Sequence, residues 1–187
     1  MTTLKEAMVE AGKKHYWGIL LVQRECLKKC LQEMFERFNE LKVLEVGAYK
    51  CMLVGWLEEN FPRDKYKWDY VGIDIIDLPD RRKDVKFYVM SATHMEFPAN
   101  TFHVVLYIET LEHIVDYVQA LRETYRVLVP NGMVWIQSVI CYDKCAIHDE
   151  THYHVLHPVT LKRLLEFIGF RDVKYVEGGN FAIWGYK

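Results

Sequence analysis

Gly47 and Asp74 each close a strand-like run of the sequence, and together they could bind a nucleoside. Gly47 ends the run Val43–Gly47, and Asp74 ends the run Tyr70–Asp74. Ligands of open parallel sheets bind at the carboxyl ends of the strands, where a glycine lets the backbone come close and a carboxylate accepts hydrogen bonds from ribose hydroxyls. Many strands also end in Gly or Asp because the chain turns there. The pair is consistent with either interpretation.

Residues 141–157 concentrate side chains that can bind metal ions. The chain has 5 cysteines and 8 histidines, and six of these residues lie in this stretch: Cys141, Cys145, His148, His152, His154 and His157. Imidazole and thiolate groups suit Zn, Fe or Ni, but the paired C-x-x-C spacing of closed zinc modules is absent. The segment is consistent with a metal site and equally with a loop whose histidines have no role in binding. We expect no bound metal; the candidate ligands, should one bind, are Cys141, Cys145, His148 and His152.

Strands that alternate with helices must hold these residues in place. Short runs rich in β-branched and aromatic residues predict strands, and apolar residues at three- and four-residue spacing predict helices between them. Such alternation is typical of a mostly parallel sheet covered by helices on both faces. The strands are predicted at Val43–Gly47, Tyr70–Asp74, Val85–Val89, His103–Ile108 and Met133–Ile136, and the helices at Met52–Asn60, Val115–Leu128 and Pro158–Ile168.

The two ends of the chain depart from this alternation. Residues 1–40 are predicted to be a helical cap, with one apolar stripe at helical spacing. At the other end, Val173–Val176 and Phe181–Tyr186 flank the turn-forming run Glu177–Asn180, which predicts an antiparallel hairpin. The residues Ile75–Asp84 barely suffice for a crossover helix, so we predict a loop or a single turn there.

Length and composition predict one ordinary globular domain. The chain has 187 residues, of which 51% are hydrophobic and 27% charged, and a domain of this size buries a full core. We therefore predict a single domain over residues 1–187, with the α/β core at 41–187. The apolar run Tyr16–Val22 is too short to span a bilayer. An odd number of cysteines favours reduced thiols and a cytoplasmic location.

The formal net charge of −2 disfavours bulk electrostatic binding to nucleic acid or to an anionic membrane. A small molecule is the partner that we expect. A nicotinamide dehydrogenase is disfavoured as well, because the G-x-G-x-x-G turn is absent.

Five segments of the chain, taken in order, resemble the successive motifs of class I S-adenosylmethionine-dependent methyltransferases. They are Leu44–Ala48, Val71–Asp74, Phe97–Val105, Ile108–His113 and Tyr125–Gly132. The resemblance covers roughly residues 42–186 and is nearest to the small-molecule branch that includes quinone-biosynthesis enzymes. It implies a Rossmann-like α/β fold with a seven-stranded, mostly parallel sheet, a C-terminal antiparallel hairpin and helices on both faces.

The same resemblance implies that S-adenosylmethionine is the cofactor and assigns residues to its parts. The turn after the first strand would lie by the methionine moiety, Asp74 would hold the ribose hydroxyls, and Ser91 would border the adenine. Four positions differ from the family pattern: Tyr49 and Cys51 replace glycines, and Ser91 and His103 replace aspartates. The implied cofactor-binding set is Glu45, Gly47, Ala48, Tyr49, Asp74, Ile75, Ser91, Ala92 and Ile108.

Methyl transfer requires an aligned nucleophile and sometimes a base. The motifs make Glu109 and His113 the catalytic candidates, although Glu112 and His113 could equally be structural parts of the loop. The resemblance also places a histidine-bearing segment on the acceptor side, so His152, His154 and His157 are candidates for binding the acceptor. Tyr16 and Trp17 would form an aromatic lid over it or would pack against the sheet.

Three hypotheses follow from these patterns. The leading one is S-adenosylmethionine-dependent methyl transfer to a small molecule. The second is a methyltransferase-like binding or regulatory subunit that has lost catalysis, which the substituted glycines suggest. The third is a metal-dependent enzyme that uses the Cys/His segment 141–157.

Overall fold

A seven-stranded sheet organises residues 23–187, the part of the chain that the computed structural model describes. The strands are β1 (Glu40–Val46), β2 (Lys67–Asp74), β3 (Lys86–Val89), β4 (Phe102–Ile108), β5 (Leu128–Val139), β6 (Arg171–Gly178) and β7 (Asn180–Tyr186). The helices are α1 (Arg24–Phe38), α2 (Leu53–Asn60), α3 (Tyr117–Val127), α4 (Lys144–His148) and α5 (Pro158–Ile168), with a 3₁₀ turn at Leu111–His113.

The strand order is β3-β2-β1-β4-β5-β7-β6. The first five strands run parallel, and β7 runs antiparallel to both β5 and β6. This arrangement confirms the predicted fold class, including the C-terminal hairpin. The order reverses at β1, which pairs with β2 on one side and β4 on the other. Such a switch point opens a crevice at the carboxyl ends of the strands, where ligands of these sheets bind.

Helices cover both faces of the sheet because successive side chains of each buried strand point in opposite directions. On β1, Leu44 packs into the cluster that includes Leu121 of α3 and Leu165 of α5. Its neighbour Val43 packs into the opposite cluster, with Leu31 of α1 and residues of α2. In residues 23–187, none of the helices has the length and apolar character needed to cross a bilayer.

Helix α1 carries the predicted apolar stripe within the described residues. Leu27, Leu31, Met34 and Phe35 are buried on one side of the helix. Of the predicted cap at 1–40, the structure describes this helix and the start of β1 only.

Several element boundaries differ from those predicted, and two of them have a local physical cause. The hairpin turn is shorter than Glu177–Asn180, because Gly179 alone separates β6 from β7. Its positive φ of 74° allows the tight reversal. Helix α3 begins at Tyr117 rather than Val115, since the Asp116 carboxylate accepts a hydrogen bond from the Gln119 amide and caps the helix there.

No helix forms between Asp74 and Lys86, as predicted. Ion pairs hold this loop instead. Arg82 contacts Glu58 of α2 at 2.8 Å, and its backbone N–H donates to the carbonyl of Lys50. Lys50 in turn pairs with Asp80 at 2.6 Å. The loop is therefore attached to the turn that follows β1.

Candidate cofactor and acceptor site

The turn after β1 depends on Gly47. Its φ is +70°, and a Cβ added to it would lie 2.3 Å from Cγ2 of Thr110. Only glycine fits such a conformation beside so close a neighbour. The amides of Gly47 and Ala48 both donate to the carbonyl of Ile73, at 2.9 and 3.0 Å. The turn therefore bends over the end of β2.

Tyr49 and Cys51 replace two glycines of the family pattern, and both keep the left-handed backbone conformation that glycine favours. Their φ angles are +46° and +58°, a region that costs an L-residue about 1 kcal/mol or more. Cys51 is fully buried, and Gly72 of β2 provides its space: a Cβ on Gly72 would lie 3.3 Å from the Cys51 sulfur and 2.8 Å from Cβ of Ala48. Gly72 on β2 thus leaves the space that the Cys51 side chain occupies. A glycine at position 51 would have allowed the same close packing of turn and strand.

The Asp74 carboxylate is held at the end of β2. One oxygen accepts a hydrogen bond from the Tyr49 amide at 3.0 Å, and the other accepts from the Ile76 amide at 3.3 Å. Burial raises the pKa of Asp74, and these backbone donors oppose the rise. Each oxygen retains a further acceptor site. The carboxylate is thus fixed beside the turn, where it can accept hydrogen bonds from ribose hydroxyls.

Beneath the turn, the Tyr70 hydroxyl donates a hydrogen bond to the Glu45 carboxyl. Both side chains are buried. Burial raises the pKa of Glu45 to about 8, although the bond from Tyr70 opposes the rise. Burial also raises the pKa of Tyr70 well above its usual value. Glu45 therefore lies among enclosed side chains under the predicted methionine end of the site.

The other residues of the predicted cofactor set lie at the same edge of the sheet. Ser91 is exposed just after β3 and accepts a hydrogen bond from the Thr93 amide at 3.2 Å, while Ala92 beside it is buried. Ile75 is 43% exposed next to Asp74, and Ile108 ends β4 half-buried. These positions lie at the carboxyl ends of β2, β3 and β4, and their contact with the cofactor stays a prediction.

Glu109 is held rigidly after β4. Gln137 and Asn180 donate to the same carboxylate oxygen, at 2.9 and 2.7 Å, and the residue has a φ of +48°. Burial, then the neighbouring Glu112 carboxyl, raises the pKa of Glu109 to about 7. Burial raises the pKa of Glu112 to about 7 as well. The two carboxyls are positioned where a proton could be accepted near neutral pH.

His113 and His152 meet beside these carboxyls, with ring centroids 4.7 Å apart. Among the described residues, Glu112, His113 and His152 offer ligand atoms that all lie within 4.8 Å of one another. Sequence reasoning placed His152 with Cys141, Cys145 and His148 instead. Cys141 is a half-buried free thiol, His148 is exposed, and the side chain of Cys145 lies outside the described part. The grouping of His152 with Glu112 was missed because the two lie far apart in sequence.

The ring nitrogens of the remaining acceptor candidates lie against backbone groups of the protein. A ring nitrogen of His154 lies 2.9 Å from the carbonyl of Val115, and the ring packs against Tyr117. His157 caps α5, because its ring nitrogen accepts from the Val159 amide at 3.1 Å. Their role in binding an acceptor stays a prediction, and Tyr16 and Trp17 lie outside the described residues.

His103, at the position of an expected aspartate, joins two strands. Its ring nitrogen accepts from the Lys42 amide at 2.9 Å, and its ring packs against Phe38 at 4.8 Å. Burial lowers the pKa of His103, which favours the neutral form that can accept this bond. The residue stabilises the contact between β1 and β4 at a distance from the turn.

Comparisons with known proteins agree with this geometry. Residues 44–136 match the family of the methyltransferase domain. Over 146 residues, the chain is 30% identical to phosphoethanolamine N-methyltransferase 3 of Arabidopsis thaliana, a match that covers 71% of this chain and 29% of the plant protein. The chain thus spans less than a third of that relative's length.

Solved structures share the fold. A S-adenosylmethionine-dependent methyltransferase of Archaeoglobus fulgidus superposes with a TM-score of 0.68 at 19% identity, over 88% of this chain and 94% of the other. The 1,6-didemethyltoxoflavin-N1-methyltransferase of Burkholderia thailandensis, solved with its acceptor and S-adenosylhomocysteine, gives a TM-score of 0.71 at 16% identity, over 98% and 87% of the two chains. The chain belongs to the class I S-adenosylmethionine-dependent methyltransferases, a family of enzymes whose cofactor is S-adenosylmethionine.

Proposed function

We propose that this chain transfers the methyl group of S-adenosylmethionine to a small-molecule acceptor that binds beside Glu109 and His113. One observation supports this most strongly. Within a single methyltransferase domain, the Gly47 turn and the Asp74 carboxylate lie at the same sheet edge as the half-buried Glu109. The cofactor half and the acceptor half of such a site thus adjoin at the switch point of the sheet.

Each residue of the site would then have its own role. In-line transfer of an activated sulfonium methyl group is the chemistry that the bound cofactor supplies. Asp74 would accept hydrogen bonds from the ribose hydroxyls, and Gly47 would let the backbone approach the methionine moiety. Glu109, held by Gln137 and Asn180, would orient the acceptor and take its proton where the acceptor carries one.

The relatives support a small acceptor. The plant relative is named for phosphoethanolamine, and the Burkholderia enzyme is named for 1,6-didemethyltoxoflavin. The quinone-biosynthesis-like branch stays a prediction for this chain. We also propose a cytoplasmic location, which the free thiols of Cys26, Cys30, Cys51 and Cys141 support.

Ligand binding tests the cofactor half of the proposal. Thermal unfolding is followed with S-adenosylmethionine or S-adenosylhomocysteine near 1 mM, and calorimetry gives the dissociation constant. At 100 times that constant, a ligand stabilises the protein by about 2.7 kcal/mol, which raises the midpoint by roughly 5–10 °C. A well-folded protein that shifts with neither ligand would favour the binding-subunit hypothesis.

Turnover tests the acceptor half. Candidate amines, hydroxylated aromatics and thiols are incubated with the protein and cofactor, and S-adenosylhomocysteine is measured by mass spectrometry. Product is expected only when an acceptor is present. With that acceptor, Glu109→Gln should lower kcat by at least about tenfold while cofactor affinity stays within twofold. Loss of cofactor binding in this variant would contradict the division of the site.

A further inference from the structure

Three potential metal ligands converge at the edge of the acceptor side. Glu112 and His113 end the 3₁₀ turn after β4, and His152 reaches them from the segment before α5. One ligand atom from each lies within 4.8 Å of the other two. A metal ion with bonds of about 2 Å holds its ligands some 3–4 Å apart, so a small closure would complete the geometry.

Both imidazoles are oriented as metal ligands usually are. Nδ1 of His113 lies 2.9 Å from the carbonyl of Thr151, and Nδ1 of His152 lies 3.3 Å from the carbonyl of Ala146. A carbonyl only accepts, so each Nδ1 carries the hydrogen. The Nε2 lone pairs are then free to bind a metal, and the rings are held in place by their second nitrogen.

The Glu112 carboxyl supplies the independent observation. The residue is 1% exposed, and neither oxygen forms a hydrogen bond of normal geometry in the described part of the chain, although the Ser138 hydroxyl and the Glu109 carboxyl lie next to it. A buried carboxyl without a partner is costly. A cation between it and the two histidines would satisfy it.

The segment that carries His152 is already attached to the turn that carries Glu112. The amides of Tyr153 and His154 both donate to the carbonyl of Glu112, at 3.0 and 3.2 Å. Together with the bond from His113 to Thr151, these contacts fix the two segments against each other. The ligands are thus preorganised before any ion binds.

We propose that Glu112, His113 and His152 bind a divalent first-row transition-metal ion of the Zn²⁺ class. Two imidazoles and one carboxylate suit Zn²⁺, Co²⁺ or Fe²⁺, and three protein ligands leave positions open for water or an oxygen or nitrogen of the acceptor. Asp149 lies 4.0 Å from Nε2 of His152, so its carboxylate is near enough to join the ligands. This inference goes beyond the proposed function, and its test needs no methyl transfer.

The test uses the whole chain without a polyhistidine tag, stripped with chelator and dialysed against Zn²⁺. Elemental analysis is expected to find one equivalent of zinc, and Co²⁺ should give the visible bands of a four- or five-coordinate site. Glu112→Gln and His152→Asn should weaken Zn²⁺ binding at least about 100-fold. Their matched controls are Glu150→Gln and His148→Asn, whose side chains are exposed in the same segment and should leave the affinity within twofold.

Less than a tenth of an equivalent of zinc in the folded wild-type chain would overturn the proposal. So would equal losses in the paired variants, because these would indicate adventitious surface binding. Circular dichroism checks that each variant folds. S-adenosylhomocysteine affinity, measured on the same samples, separates a failure of the metal site from a failure of the cofactor site.

Discussion

Tyr70 and Glu45 form a buried hydrogen bond between β2 and β1, directly beneath the turn at residues 47–52. The Glu45 carboxyl is enclosed, and its nearest charged neighbours include the Asp74 carboxylate. An ionised carboxylate would be costly in this position. The fold is thus built around a carboxyl group that keeps its proton near neutral pH.

This proton makes stability depend on pH. The pKa of Glu45 is about 8 in the folded chain against an ordinary 4.5, so its contribution is fully present below about pH 4.5 and is lost as pH rises towards 8. Through Glu45 alone, the free energy of unfolding should fall by at most about 1.4 kcal/mol per pH unit across that window. Glu45→Gln should reduce the slope measured by urea unfolding between pH 5 and 8 by up to this amount, and the slope that remains is what Glu109 and Glu112 contribute, since burial raises the pKa of each to about 7.

The matched control is Glu59→Gln, at an exposed position of α2. Its slope should equal that of the wild type. Equal slopes in the wild type and in Glu45→Gln would show that Glu45 is not the group that titrates.

The turn after β1 should tolerate no side chain at Gly47. Gly47→Ala combines a positive φ with a contact of 2.3 Å to Thr110, and we expect a loss of about 2–4 kcal/mol in the free energy of unfolding. Gly55→Ala is the counterpart, because a Cβ there meets nothing within 4 Å and α2 gains a better helix former. It should stabilise by about 0.5–1 kcal/mol. Effects of the same sign in the two variants would refute the assignment of strain to the turn.

Asp74 should control cofactor affinity. In Asp74→Asn, one oxygen becomes an NH₂ group that must face the amide of either Tyr49 or Ile76. We expect S-adenosylhomocysteine to bind at least about tenfold more weakly, as measured by calorimetry. Asp77→Asn, which alters an exposed ion pair with Arg81, should stay within twofold of the wild type. An unchanged affinity in Asp74→Asn would mean that the ribose binds elsewhere.

The loop between β2 and β3 should loosen when Arg82 is replaced. Arg82→Met removes the contacts to Glu58 and Asp84. Partly exposed pairs of this kind contribute at most about 1 kcal/mol, so the midpoint should change little while limited proteolysis within residues 75–85 becomes faster. Lys86→Met removes a weaker pair with Asp69 at 3.8 Å and should leave the cleavage rate unchanged. Identical rates in both variants would argue against Arg82 as the attachment.

Helix α5 was predicted with its observed bounds because its signals are local. Proline occupies the first turn, His157 caps the start, and Gly169 adopts a φ of 122° at the end. Each residue favours its position through its own backbone or side chain. Nothing beyond a dozen neighbouring residues is needed to place this helix.

Strand β5 shows why other bounds could not be predicted. The sequence indicated Met133–Ile136, yet the strand begins at Leu128 and passes through Pro130 and Asn131. Leu128 pairs with Phe102, and the register shifts before Met133 pairs with Val104. A proline-asparagine-glycine run is turn-like in isolation. Here β4 supplies the pairing, and that information lies elsewhere in the chain.

The candidate site likewise has a part that local sequence motifs predict and a part that depends on contacts between distant segments. The turn at Gly47 and the acid at Asp74 follow from motifs within short segments. The approach of His152 to Glu112 depends on hydrogen bonds from Tyr153 and His154, which pattern reading cannot anticipate. Likewise, the space that Gly72 leaves for Cys51 is a contact between β2 and the turn after β1, residues that lie far apart in sequence.

Cys51 makes the cofactor turn observable by thiol chemistry. The side chain is fully enclosed, and burial raises the pKa of the Cys51 thiol to about 11, so alkylating reagents can reach it as a thiolate only when the turn opens. Its labelling rate therefore reports how often residues 47–52 open, with half-buried Cys141 as an internal reference in the same digest. A ligand that closes the turn would protect this one cysteine, which gives a screen for occupants of the site before any acceptor is known.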